Sequence, residues 1–204
     1  MGSSSSLFVR LLRLAHALSL GGAWVGGALT VASVLLICFD IFARKFLGFN
    51  TGGADELSGY AFAISISWAM AYVLLQRGNV RVDALYLRFP LRFTAFLDWL
   101  SLVAMGVFLA HLTYYAAQVA GMSWEMNAAS NSLLGVPMWI PQGLWVVGFG
   151  WMCLVLALML VRASVALVTG DIAAIKDLCG VRTVEEEASD EAESGARIVE
   201  SEKS

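Results

Sequence analysis

LAHALSLGGAWVGGALTVASVLLICF, residues 14–39, holds no Asp, Glu, Lys or Arg, and its 26 positions decide how the chain folds. A helix rises about 1.5 Å per residue, so roughly 20 residues cross a hydrocarbon core about 30 Å thick. A charge at the bilayer centre costs about 2.5–3.5 kcal/mol on insertion scales, so a charge-free stretch of this length has a physical meaning. Three more stretches share the property: Leu57–Gln76, Trp99–Trp124 and Met126–Val161. The expectation is an all-α integral membrane protein with four transmembrane helices, near 16–39, 57–76, 99–121 and 140–162.

Composition agrees. The 204 residues are 59% hydrophobic and 14% charged, a balance that leaves too little polar surface for a soluble domain of this size. The net charge of −3 hides two unlike parts. Residues 183–204 carry eight acidic and two basic side chains and little apolar content, which reads as a solvated, disordered acidic tail. The organisation expected is an N-terminal segment at 1–13, a membrane domain at 14–165, a juxtamembrane segment at 166–182 and the tail at 183–204. Arg10 and Arg13 before an apolar run imitate a secretory leader. The run is about twice as long as a leader's apolar region and reads as a retained first helix.

Basic residues orient the helices. Arg10 and Arg13, then Arg77, Arg81, Arg88 and Arg92, then Arg162 occupy alternate gaps, whereas only Arg44 and Lys45 lie on the other side. The excess places both termini in the cytoplasm. Between helices 2 and 3, Val82, Leu85, Tyr86 and Phe89 recur at helical spacing with Arg81, Arg88 and Arg92 on another face. This is a short amphipathic cytoplasmic segment suited to lie on membrane lipids. Trp99, Trp124 and Trp139 fall near the expected interfaces. Pro137 and Pro141 suit a helix entry at about Met138, because proline is tolerated in a first turn.

Few residues invite chemistry. Cys38, Cys153 and Cys179 lie apart with no paired spacing, so neither a disulfide nor a metal centre is expected. His16 and His111 raise the possibility of a haem. His111 lies about a dozen residues into the third helix, roughly 18 Å deeper than His16, whereas one iron needs both ligands at one depth. His111 reads as a hydrogen-bonded structural residue rather than a proton relay, and Trp24 and Trp68 as mid-membrane packing residues. Gly22, Gly26 and Gly27, with Ala23, lower one face of the first helix for close helix packing. Asp40 and Arg44 stand at i, i+4, and Asp55 and Glu56 open the second helix where the macrodipole favours acids. These charges form either a locally satisfied cluster or a docking site on the outer face. With no acid inside the charge-free stretches, no broken helix and no internal repeat, the chain lacks a secondary carrier's usual equipment and reads as a subunit.

Asp40-x-x-x-Arg44, Asp55-Glu56-Leu57, Arg77-Gly78-Asn79-Val80-Arg81-Val82-Asp83 and Leu134-Gly135-Val136-Pro137-x-Trp139 occur in that order. Together they resemble the small permease subunit (DctQ-like) of tripartite ATP-independent periplasmic (TRAP) transporters, over roughly residues 14–165. Asn79 stands where many members have His. The resemblance implies a multi-pass protein of the bacterial inner membrane, with no enzymatic activity, no cofactor and no nucleic-acid partner. Its implied partners are a large permease subunit (DctM-like), a periplasmic solute-binding protein (DctP-like) and membrane lipids. The small subunit would brace the large one for ion-coupled, sodium-driven uptake of an organic acid. Asp40, Arg44, Asp55, Glu56, Arg81 and Asp83 would serve as structural or docking residues. The alternative from another class is a haem- or quinone-binding membrane anchor of a redox complex.

Overall fold

A computed structural model describes residues 2–49, 52–78 and 90–172, with 175, 178, 188, 189, 192 and 195. Four long helices dominate: α1 (Gly2–Phe42), α2 (Ala54–Leu75), α3 (Leu91–Glu125) and α4 (Trp139–Thr169). All four are long and apolar enough to cross a membrane. No strand occurs among the described residues, apart from one isolated bridge between Ala129 and Pro137. The amphipathic stretch expected around Val82–Phe89 and most of the acidic tail lie outside the described residues.

The helices outrun the charge-free stretches. α1 has 41 residues, about 60 Å of rise, and begins at Gly2, so the segment expected at 1–13 is the first turns of the same helix. The absence of charge marks only the part of a helix that lies in hydrocarbon, whereas the backbone hydrogen bonds carry the helix on past it. α1 passes into a π-helical segment, Ala43–Leu47, which stops at Gly48 with φ 70°. α4 ends at Gly170, φ 73°, where the Asp171 amide donates to the Ala166 carbonyl at 2.9 Å and the Gly170 amide to Leu167 at 3.3 Å. These two bonds satisfy carbonyls that a helix end would otherwise leave bare. Pro141 lies in the first turn of α4, where its missing N–H leaves no bond unmade.

Neighbours along the chain are not always neighbours in space. α1 packs on α2, α2 on α4, and α4 on α3, so the main contacts run in a row, α1–α2–α4–α3. α1 also reaches α4 through two side chains. The Trp151 indole donates to Ser19 Oγ at 3.0 Å, and the Arg162 guanidinium stands 5.3 Å over the Phe8 ring. α3 buries Ala95, Leu102, Leu109 and Ala116, seven residues apart, and their partners in the core include Val155, Leu156 and Met159 of α4. A seven-residue repeat keeps one face turned to its neighbour along a gently supercoiled pair.

Candidate docking site and helix interfaces

The end of the row where α1 and α3 finish and α2 and α4 begin, here the distal end, gathers these four helix ends and the 126–138 connection. In that connection the Ser130 amide donates to the Val136 carbonyl and the Met138 amide to Ala128, both at 2.9 Å. This narrow hairpin folds over the start of α2. A Cβ on Gly53 would stand 2.1 Å from Leu134 Cδ1, so a larger residue there would push that leucine aside.

Glu56, in the first turn of α2, accepts a hydrogen bond from the Tyr60 hydroxyl at 2.5 Å. Met138 Sδ of the hairpin lies 3.2 Å from the same hydroxyl. Glu56 Oε2 is shut off from solvent and accepts no well-aligned bond, although the hydroxyls of Ser130 and Ser132 are its neighbours. The carboxylate is thus clamped between its own helix and the hairpin. Asp55 is exposed, and its carbonyl takes a bond from Ser58 Oγ at 2.9 Å. At the end of α1, Arg44 donates to the Asp40 carboxylate one turn below. Asp40 is 3% exposed while the Arg44 side chain is 55% exposed, so the guanidinium covers a buried acid and keeps its outer edge free. Two local units therefore stand at this end, Asp40–Arg44 and Glu56–Tyr60, beside the exposed Lys45, Asp55 and Glu125. Arg81 and Asp83 lie outside the described residues.

At mid-helix the small residues sort by face. A Cβ on Gly22 would stand 3.0 Å from the Trp68 carbonyl oxygen, and one on Gly26 2.8 Å from that of Ser65. Both positions let α1 lie directly on the α2 backbone. Gly27 has nothing within 4 Å of that point and looks away from α2. Indole N–H groups then tie the row together. Trp68 donates to the Leu144 carbonyl at 3.0 Å and Trp99 to Ser164 Oγ at 2.9 Å. Trp24, read as a mid-membrane packing residue, is 76% exposed on α1. Its position one turn from Gly27 and Gly21, both open, puts it on the outward face.

Four side chains escaped the reading of the sequence: Tyr60, Ser130, Ser132 and Asp98. Tyr60 and the two serines gave no signal because a single tyrosine in an apolar run looks like packing. Asp98, one residue before a charge-free stretch, is 1% exposed near the start of α3, since the helix begins eight residues before the stretch does. His16 and His111 fall on α1 and α3, at opposite ends of the row with α2 and α4 between them, so one haem cannot bridge them. His16 packs edge-on against Tyr72, 5.6 Å between ring centres. Cys38 and Cys153 are free thiols, and no group of three metal-ligating side chains exists among the described residues.

Residues 33–166 match the family described as "Tripartite ATP-independent periplasmic transporters, DctQ component". No curated protein and no solved structure matches. The matched region covers well over half of the chain and runs from the last quarter of α1 to the last turn of α4. That family is a transporter component, not an enzyme, and four helices long and apolar enough to cross a membrane agree with a membrane component. The chain belongs to the DctQ-component family of tripartite ATP-independent periplasmic transporters.

Proposed function

We propose that this small membrane subunit braces the large permease of its transporter, in the bacterial inner membrane with both termini cytoplasmic, for sodium-coupled uptake of an organic acid. A periplasmic binding protein delivers the solute to the distal end. The observation that carries the bracing role is how the row is closed. Its interfaces are filled by backbone approach at Gly22 and Gly26 and by indole hydrogen bonds across helices. A carrier needs a site near the midplane built from interrupted helices, whereas each of these four helices is unbroken. Arg44 is the candidate contact for the binding protein, because it stands at the distal end and keeps an exposed edge, while Glu56, bonded to Tyr60 and shut in by the hairpin, holds that end together.

Affinity purification in mild detergent tests this. The tagged chain should retain the large permease in fixed ratio, and failure to retain it under conditions that preserve both folds would refute the subunit role. Thiol labelling tests orientation. With the native cysteines replaced, a cysteine at Ser132 should react in intact cells, and one at Ala188 only after permeabilisation. The reverse pattern would invert the topology.

A further inference from the structure

α3 stands at one end of the row, packed on α4 alone among the major contacts, and its opposite face is open. Along that face Ala104, Val107, His111, Tyr114, Gln118 and Gly121 are all exposed, spaced alternately three and four residues apart. That 3.5-residue repeat is the seam one helix presents to another. The composition of the seam is unusual for a surface meeting lipid. His111 falls near the midpoint of the expected 99–121 span, and Gln118 lies about 10 Å further along by helical rise. Tyr114 and Tyr115 are 59% and 60% exposed, and their hydroxyls have no hydrogen-bond partner among the described residues.

His111 is the most demanding of these groups. Its Nδ1 lies 2.9 Å from the Val107 carbonyl oxygen, one turn below. A carbonyl can only accept, so Nδ1 carries the hydrogen and donates it. In the neutral imidazole Nε2 is then a bare acceptor, on an exposed side chain at the expected mid-membrane depth. Acyl chains offer no donor, and an unsatisfied polar group in hydrocarbon is expensive. The other edge of the row makes a different demand. The exposed face of α1 carries Leu18, Val25, Val31, Val34 and Leu35, which lipid satisfies, and its main mid-membrane polar group is the Trp24 indole. The exposed positions of α4 within the expected span, Ile140, Leu144, Val147, Gly150, Leu154, Ala157 and Val161, are all apolar.

We infer that the outward seam of α3, centred on His111, is the surface on which a helix of the large permease docks, with a hydrogen-bond donor of that helix facing His111 Nε2. This rests on the subunit reading above and adds to it the face and the contact. A second copy of this chain is the poorer occupant. A twofold axis along the seam would set the same bare acceptor opposite itself.

The test uses the whole complex in native membranes. A benzophenone amino acid replaces Val107 or Gln118 on α3, Trp24 or Val31 on α1, and Leu154 or Val161 on α4. Adducts formed on irradiation are identified by mass spectrometry. The α3 positions should yield adducts containing large-permease peptides, at least several-fold above the other four. Permease adducts mainly from α1 or α4 would overturn the assigned face and leave the subunit role intact. Two-copy adducts from α3, or lipid adducts alone while the permease still co-purifies, would also overturn it. Absence of the permease from every preparation would instead refute the subunit role, and this inference with it. His111→Leu should lower the recovered permease by roughly 5-fold, the scale of one interhelical hydrogen bond in a membrane, and His111→Gln, which keeps an acceptor, should restore most of it. The thermal midpoint of the chain purified alone should not move in either variant, because His111 bonds only within its own helix. Equal recovery from His111→Leu and the parent would show that Nε2 has no partner there.

Discussion

Gly26→Ala, compared with Gly27→Ala, isolates the contact that closes α1 on α2. Each substitution adds one methyl group to the same helix and brings the same gain in helix propensity, about 1 kcal/mol. They differ in what the methyl meets. At Gly26 it would stand 2.8 Å from the Ser65 carbonyl oxygen and 3.3 Å from the Ser65 Cα, whereas at Gly27 there is open space. Carbon–oxygen contacts settle at about 3.3–3.6 Å, so α1 and α2 must part by roughly 0.6 Å at that point. The obstacle is backbone, which cannot swing aside as a side chain would. A gap of that size forfeits about a quarter of each neighbouring contact, and overpacking of this kind costs about 1–3 kcal/mol. Gly26→Ala should therefore fall below Gly27→Ala by about 2 kcal/mol. For a chain of this length that is a difference of about 4–8 °C in thermal midpoint. Tryptophan fluorescence of the detergent-purified variants during heating reads it directly. Equal midpoints would mean that α1 does not rest on the α2 backbone at Ser65, and the row as described would be wrong.

Two further outcomes follow from named contacts. Trp68→Phe removes the indole bond to the Leu144 carbonyl and should destabilise the chain by about 1 kcal/mol, while Trp24→Phe, on an exposed side chain, should leave the midpoint unchanged; the same melting experiment compares them. Arg44→Ala uncovers the buried Asp40 carboxylate and should lower both solute uptake and recovery of the assembled complex, with Arg44→Lys intermediate, while the solute affinity of the isolated binding protein stays constant. Uptake and recovery both equal to the parent in Arg44→Ala would remove Arg44 from the docking site.

What the sequence disclosed depended on how far each signal reaches along the chain. Charge is costly in hydrocarbon wherever it falls, so the four apolar stretches were plain, and each lies largely within one helix. The i, i+4 relation of Asp40 and Arg44 is local, and the structure pairs them. The faces of α1 were harder to read. Gly22, Gly26 and Gly27 look equivalent in a list of small residues, but two consecutive glycines point about 100° apart on a helix, and only Gly22 and Gly26 meet α2. The order of helices in the row left no trace, because nothing in α4 tells whether it lies beside α2 or α1. The Glu56–Tyr60–Met138 contact joins residues 78 apart and needed the hairpin's path to be known. His111 shows both sides of this limit. Its bond to its own helix was foreseeable, whereas the open Nε2 depends on which way α3 is turned.

The account turns on whether these helices support a carrier or act as one. The decisive measurement is solute uptake into sodium-loaded and sodium-free proteoliposomes, made with this chain alone and with the chain, the large permease and the binding protein together. The account predicts no uptake from the chain alone under any gradient, and inward-gradient-dependent uptake from the full set that falls when this chain is omitted. Uptake by the chain alone, or full uptake without it, would contradict the claim.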